Sequence, residues 1–354
     1  MAAYTSIDDP SAYFQIALHT GNGGTQSITN DGNSDLQPDF VWIKGRSTNS
    51  HHALFDSVRG ATKRISSSET NEETTESTGL TSFNSDGWST GAWSGSNSNN
   101  QTYVSWQWKS GTSFSNDASA TSIGTIDSTG SVNDTAGFSI VSYTSTGSNG
   151  SIKHGLSTAP SMIIFKRRSG DTENWPVYHQ ALGATKNIKL NLSEAVSTSS
   201  TRFNDTEPTS SVFSLGTSGD TNGGTSPFIA YCFADVKGYS KVSGSYTGNG
   251  NADGAFIYTG FKPAFFMAKR TDANDMPWVM IDNKRNSFNA LSNTLLANSD
   301  EVANTGTDRA DFLSQGVKIK TTSTAWNASG AAFIFMAFAE SPFVSSSGVP
   351  TTAR

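Results

Sequence analysis

The sequence predicts an all-β fold of three tandem β-sandwich units, jelly-roll-like or lectin-like, with little helix. Three observations carry that expectation. One pattern, a Gly-containing turn followed by a proline-started apolar run and then an aromatic run, occurs three times in 354 residues. Hydrophobic content is only 34% while aromatics reach 11%. Globular chains usually carry ~45–50% apolar residues, so this mix suits small sandwich cores filled by large rings. The apolar runs are of strand length and are punctuated by Gly, Pro, Asn and Ser.

The first copy has a turn at His19–Gly23 (HTGNG), a run at Pro38–Lys44 (PDFVWIK) and an aromatic run at Tyr103–Trp108 (YVSWQW). The second has Tyr143–Gly147 (YTSTG), Pro160–Lys166 (PSMIIFK) and Phe228–Phe233 (FIAYCF). The third has Tyr246–Gly250 (YTGNG), Pro263–Lys269 (PAFFMAK) and Phe333–Phe338 (FIFMAF). Apolar and punctuation positions recur at matched spacing while polar residues vary, the signature of a repeated fold. Each proline-started run is apolar on consecutive positions, which predicts a strand buried on both faces. Proline at a strand start removes no ladder bond. Tyr103–Trp108 alternates in part, which predicts one face in a less dry setting.

A second shared element lies about 20 residues after each proline, by the spacing that repeats impose. It reads Asp56–Lys63 (DSVRGATK), His179–Lys186 (HQALGATK) and Asp282–Asn286 (DNKRN). Glycine there supplies a turn with positive φ. Helix signals are weak, the best being Ala181–Leu192 and Ser292–Asn298, so helix is expected at roughly 5–10%.

These patterns divide the chain into unit 1 (1–110), a Ser/Thr/Gly-rich linker (111–136), unit 2 (137–236), unit 3 (237–340) and an extended C-terminal tail (341–354). Almost nothing separates units 2 and 3, which predicts that they pack together. The tail has two prolines and no periodicity, so it is expected to be extended or docked on a neighbour.

Composition excludes several classes. The net charge is −6 and no basic stripe is visible, so a nucleic-acid partner is not expected. No apolar run approaches the ~18 residues of a membrane span, and the N-terminus lacks the charged and apolar regions of a signal peptide. Cys232 is the only cysteine, so no internal disulfide forms; its apolar run predicts a buried, inert thiol.

At these residues the chain resembles a family of repeat-domain proteins encoded by tailed bacteriophages of marine cyanobacteria and other marine bacteria. The resemblance rests on Thr20–Gly23, Pro38–Arg46, Phe55–Lys63, Phe83–Gly87 and Tyr103–Trp108 in the first copy. It continues through Gly137–Tyr143 (GFSIVSY), Ala230–Lys241 (AYCFADVKGYSK) and Phe338–Arg354 (FAESPFVSSSGVPTTAR), so it covers essentially the whole chain. It implies a virion component, a tail-fibre or surface protein, with concanavalin-like sandwich units, and it supplies no catalytic residues. The function expected is therefore a bacteriophage virion structural protein, tail-fibre-like or a capsid-surface decoration, attaching multivalently to host surface carbohydrate. Its expected partners are other virion proteins and further copies of itself, with a trimer favoured. The alternatives are a purely architectural component and a polysaccharide depolymerase.

No enzyme is expected, nor any cofactor or metal. The Asp56/Arg59 pair recurs as Asp282/Arg285, but the second copy has His179/Leu182, so a reaction needing both groups could not run there. The pair reads as a turn-stabilising corner. His51-His52 sit in a polar stretch, and adjacent residues of a strand point apart. No zinc-ligand spacing involves His19, His154 or His179 either. Asp31–Asp35 and Asp272–Asp275 are acidic enough for calcium but lack the EF-hand pattern, and read as solvated turns. Gly21–Gly24 and Gly248–Gly250 precede no helix and read as hairpin turns. Trp42, Trp106 and Trp108 lie on strands and read as core. Trp93, Trp175, Trp278 and Trp326 are the candidate binding or interface residues, because tryptophan in Gly/Ser/Asn-rich loops can stack on sugars or anchor an interface.

Overall fold

A computed structural model describes residues 4–352. Of the described residues, 41% lie in strands and 5% in helix. Each of the three units is a sandwich of one larger and one smaller antiparallel sheet. In unit 1 the larger sheet runs in the order Phe14–Thr20, Thr102–Trp108, Phe40–Gly45, Ala53–Asp56. Unit 2 repeats this order with Phe138–Thr144, Pro227–Phe233, Met162–Arg167 and Pro176–His179. Unit 3 repeats it again with Ser240–Thr247, Ala332–Pro342, Phe261–Arg270 and Trp278–Asp282. First strand, last strand and the strand of the proline-led run are thus hydrogen-bonded in the same order three times, although in unit 3 that strand begins before its proline and Pro263 sits at a β-bulge.

The smaller sheets close the sandwiches. They comprise Gln26–Ile28, Trp88–Thr90 and Leu80–Phe83 in unit 1, and Gly150–Lys153 with Val212–Leu215 in unit 2. Unit 3 uses Phe256–Tyr258, Gly316–Ile319 and Ala310–Leu313.

Strand alternation explains the unbroken apolar runs. Val41 and Ile43 face the interior of unit 1, while Phe40 and Trp42 join a second core shared by all three units. Ile163 and Phe165 face inward in unit 2, while Met162 and Ile164 join the shared core. Phe266 and Ala268 do the same in unit 3 against Phe265 and Met267. The larger sheets are therefore wet on neither face, as the consecutive apolar residues predict.

The shared core has pseudo-threefold symmetry. Trp108, Phe233 and Phe338 occupy equivalent positions on the three last strands and pack mutually edge-to-face. Their ring centroids lie 6.2, 5.5 and 5.9 Å apart, the favoured geometry for aromatic pairs. The chain is thus a trimer of sandwiches built from one polypeptide.

Several expectations are corrected. Residues 111–136 are not a linker: Thr112–Asn116 and Ser128–Asn133 form a hairpin that pairs with Phe138–Thr144 and extends the unit 2 sheet. The open edge of Phe138–Thr144 supplies the unpaired backbone groups, and Phe114 and Val132 pack on the unit 2 core. Neither helix signal forms a helix. Ala181–Leu192 holds a turn and the strand Lys186–Lys189, and Ser292–Asn298 holds the strand Leu295–Leu296. The polar residues of Tyr103–Trp108 are not in a wetter setting either. Ser105 and Gln107 are fully buried in unit 1, where Trp88 Nε1 donates to Ser105 Oγ (3.2 Å) and Gln107 Nε2 donates to Asn30 Oδ1 (2.7 Å). The described part of the tail folds on itself through a bridge between Val344 and Pro350, and docks on the N-terminal segment through the Ser346 amide, which donates to Asp8, and the Phe343 ring, packed edge-on against Tyr4.

Candidate functional site

The residue types that could carry chemistry converge on the seams between units, in one cyclic scheme. At the corner of unit 1, Arg59 Nε donates to Asp56 Oδ2 at 2.5 Å, and Tyr231 of unit 2 donates its hydroxyl to the same oxygen at 2.7 Å. At the corner of unit 3, Arg285 Nε donates to Asp282 Oδ2 at 2.6 Å, and Trp106 Nε1 of unit 1 donates to that oxygen at 3.1 Å. Tyr231 and Trp106 are equivalent positions; the third is Met336, which has nothing to donate, and the acid it would meet is His179. Instead, His179 Nε2 lies 3.4 Å from the Phe335 carbonyl oxygen.

Both acid–arginine pairs have side chains with no solvent exposure. The expected turn corner is therefore present but buried, and it joins neighbouring units. Burial by itself would lower the Arg59 pKa, and the Asp56 carboxylate overrides that and raises it. Burial likewise holds the Tyr231 hydroxyl well above its usual range. Charges locked in this way hold the seam together; no substrate can reach them.

The lysine that ends each proline-started strand follows the same cycle. Lys44 Nζ donates to the Asp300 carbonyl of unit 3 (3.2 Å) and Lys166 Nζ to the Thr70 carbonyl of unit 1 (2.7 Å). Lys269 Nζ donates to the Glu194 carbonyl of unit 2 (2.9 Å). All three are buried, and burial pulls each pKa from 10.5 down to about 8. In sequence these lysines mark only the ends of the apolar runs. Their recurrence at one register position on otherwise dry strands was the signal that they are structural.

The candidate tryptophans divide unevenly. Trp175 and Trp278 are buried in the shared core, so neither is free to stack on a ligand. Trp175 Nε1 donates to the Glu69 carbonyl of unit 1 (3.0 Å), and Trp278 Nε1 to the Lys189 carbonyl of unit 2 (2.9 Å). They are interface residues, but between units of one chain. His52 takes the equivalent place in unit 1. Trp42 Nε1 donates to His52 Nδ1 (2.7 Å), which leaves Nε2 to donate to the Leu296 carbonyl of unit 3 (2.9 Å). Burial pulls the His52 pKa down to about 3. Trp326 is buried in the unit 3 core, where its carbonyl accepts from Tyr246. Only Trp93 remains partly exposed, with the Arg64 guanidinium 5.3 Å over its ring. With Arg64, Glu69 and His51 it lines an open cleft of about 370 Å³.

One recurrent side chain was missed altogether. Asn97 sits at the end of the helical turn Ser94–Asn97. Its Oδ1 accepts from the Asn22 amide and its Nδ2 donates to Asn22 Oδ1, Gly24 O and Gly91 O. Asn222 pins the Thr146 turn, and Asn327 the Asn249 turn, in the same way. Gly21–Gly24 and Gly248–Gly250 are therefore not hairpin turns: each carries the chain from the larger to the smaller sheet of its unit, and the asparagine pins it there. The signal was an asparagine 5 residues before each final strand.

Among the described residues, no group of three or more His, Cys, Asp or Glu is placed to hold a metal ion. Asp31 instead pairs with Lys284 and Asp272 with Arg270. Cys232 is buried in unit 2, and burial pushes its thiol pKa up to about 12. No helix among the described residues is long and apolar enough to cross a membrane.

The family described as Domain of unknown function (DUF7483) matches residues 9–342, a span that covers all three units. No curated protein matches the chain.

Proposed function

The chain belongs to the DUF7483 family, and from that premise we propose that it is a bacteriophage virion structural protein, tail-fibre-like or a capsid-surface decoration, that attaches to host surface glycans through several weak contacts. One observation carries this reading: three equivalent sandwiches close on a common buried core, and the recurring acid–arginine corners are buried in the seams. What remains for function is the outer surface, presented three times per chain. Repeated display raises avidity without a strong single site.

The outer surfaces of the units differ in a way that supports assembly with other virion proteins or further copies. On the smaller sheet of unit 1 the cross-strand row is Ser27, Ser89 and Ser82, and on that of unit 2 it includes Ser151 and Ser214. Unit 3 carries Phe256 and Tyr258 on one edge strand of its smaller sheet, both exposed, and Phe288 is exposed on a loop beside the opposite edge strand, Ala310–Leu313. Threefold closure is already satisfied within the chain, so a trimer of chains would use this aromatic side and not the shared core.

The test is direct. Antibody labelling and quantitative mass spectrometry of purified particles should find the protein on the virion; a handful of copies identifies a fibre and hundreds a decoration. The purified protein should bind host cells and lose that binding after periodate oxidation of surface glycans. Absence from particles overturns the reading. Cell binding that survives periodate removes the glycan, and reducing ends released from host polysaccharide would favour a depolymerase.

A further inference from the structure

The first strands of the three smaller sheets are built alike but bordered differently. They carry Ile28, Ile152 and Ile257, each buried and paired with Trp88, Phe213 and Val317 in turn. Ser27, Ser151 and Phe256 therefore share one position. In unit 2 the far side of this strand is taken. The Ser151 amide donates to Thr125 Oγ1 (2.9 Å), and the Ser151 carbonyl accepts from the Thr125 and Ile126 amides (2.8 and 3.1 Å). Ile126 thereby bridges to Ile152 as a parallel partner. The covering segment belongs to residues 111–136, which precede unit 2. Unit 3 is preceded only by a tight turn, closed by the bridge between Val236 and Ser240, and receives no such segment.

Phe256–Tyr258 is thus left as an open edge. The Ala255 carbonyl accepts from the Ile319 amide (3.0 Å), and the Thr259 amide donates to the Gln315 carbonyl (3.0 Å). Alternate residues bond inward in an antiparallel pair, so the N–H and C=O groups of Phe256 and Tyr258 point out of the sheet. Among the described residues, no strand or bridge lies on that side. Proteins commonly blunt an edge of this kind with charged side chains or proline. Residues 255–259 (AFIYT) have neither, and Phe256 and Tyr258 are 46% and 58% exposed. Unit 1 instead keeps its edge polar, with Gln26 and Ser27.

The edge is complementary to itself. Two copies run antiparallel about a two-fold axis when Ile257 lies opposite its own copy. Phe256 of one chain then faces Tyr258 of the other, and each facing pair exchanges both of its outward N–H···O bonds. The same register sets phenylalanine beside tyrosine across the junction, a favourable cross-strand pair, and brings no like charges together. The exposed side also continues past the end of the strand. The Tyr258 hydroxyl lies 3.5 Å from that of Tyr4, Tyr4 donates to the Gly260 carbonyl (2.7 Å), and the Phe343 ring packs on Tyr4. The patch is therefore continuous with the interface that holds the N-terminal segment and the tail. A contact built on so short a strand lies at the small end of specific interfaces, below or near ~1,200 Å² in total, so it belongs to a pair that dissociates at micromolar concentration.

We propose that Phe256–Tyr258 is the self-association edge of this protein, pairing with the same strand of a second copy so that the smaller sheets of two chains join into one. A two-fold contact of this kind closes on itself and makes a dimer, where a trimer of chains was the expectation. The inference goes beyond the virion and glycan readings and depends on neither.

The experiment is sedimentation velocity of the full chain from about 1 to 100 μM, the range in which a small interface dissociates. Wild type should pass from monomer to dimer across that range. Phe256→Lys and, independently, Tyr258→Lys should each weaken the dimer by about tenfold or more, because each sets a charge at the junction. Ser27→Lys, at the equivalent position of unit 1, should leave it unchanged. Equal thermal midpoints at about 1 μM show that a variant is folded, and one that fails to fold leaves the other to decide. Mild oxidation supplies a second readout: a mixture of Phe256→Cys and Tyr258→Cys chains should cross-link, and either alone should not, since only the facing positions come within about 5.5 Å. A wild-type monomer throughout, a trimer, or a dimer that survives both lysine variants overturns the proposal. Particle labelling and cell binding test the virion reading separately, so either can fail while the other stands.

Discussion

Tyr231 donates its hydroxyl at 2.7 Å to Asp56, 175 residues away in sequence and in a different unit. The same carboxylate holds Arg59, whose second guanidinium nitrogen also reaches the Tyr231 hydroxyl at 3.3 Å. This buried triad ties unit 2 to unit 1. Its counterpart, Trp106 on Asp282 with Arg285, ties unit 1 to unit 3.

Removing the acid should cost far more than removing the hydroxyl. Asp56→Ala leaves the buried Arg59 guanidinium with only the longer contact to Glu73 (3.2 Å) to balance its charge, a loss of about 3–5 kcal/mol. Tyr231→Phe deletes a hydrogen bond to a charged group, about 1.5–3 kcal/mol. Urea unfolding of the two variants measures this; equal losses would show that the arginine finds another partner.

The buried lysines give an alkaline signature. Lys44, Lys166 and Lys269 have pKa values lowered from 10.5 to about 8. Between those limits the unfolded chain holds protons that the folded protein has released, so stability rises with pH from about 8. Each lysine contributes a slope approaching ~1.4 kcal/mol per pH unit. Cys232 and the buried tyrosines, raised by burial, oppose this at higher pH, so the rise is read between about pH 7.5 and 9. Lys166→Met should flatten part of the slope; an unchanged slope in that variant would falsify the assignment.

Acid should act through histidine. Burial lowers His52 to about 3 and both His154 and His179 to about 4. The unfolded chain takes up these protons near pH 6.5 and the folded protein does not, so stability falls as pH drops from 6.5 toward 4. Thermal midpoints at about pH 7, 6 and 5 test this. A midpoint that stays level down to pH 5 means that these rings are accessible.

The turn-pinning asparagines should be worth more than surface polarity suggests. Asn327→Ala removes bonds to Asn249, Asn251 and Thr321, leaving buried backbone groups unsatisfied. A loss of about 2–3 kcal/mol is expected, with faster amide exchange confined to the 248–251 turn. An effect within about 0.5 kcal/mol, the range for ordinary surface changes, would mean that the turn holds itself.

Sequence by itself determined the strands, the triplication and the near-absence of helix, because apolar period and turn chemistry are local properties that each copy repeats. It also placed Trp42, Trp106 and Trp108 in the core. It misjudged 111–136, where strand formation depends on the open edge of a neighbouring sheet more than on the segment's own Ser/Thr-rich composition. It left Trp175 and Trp278 looking exposed, because their burial is decided by what packs across a seam, and Trp326, because its loop folds back on its own unit's core. Trp175 sits beneath a unit 1 loop more than 100 residues away, and Trp278 beneath unit 2. Cyclic closure belongs to tertiary structure alone. It arises when the second apolar face of each larger sheet finds its only dry partners in the other two units.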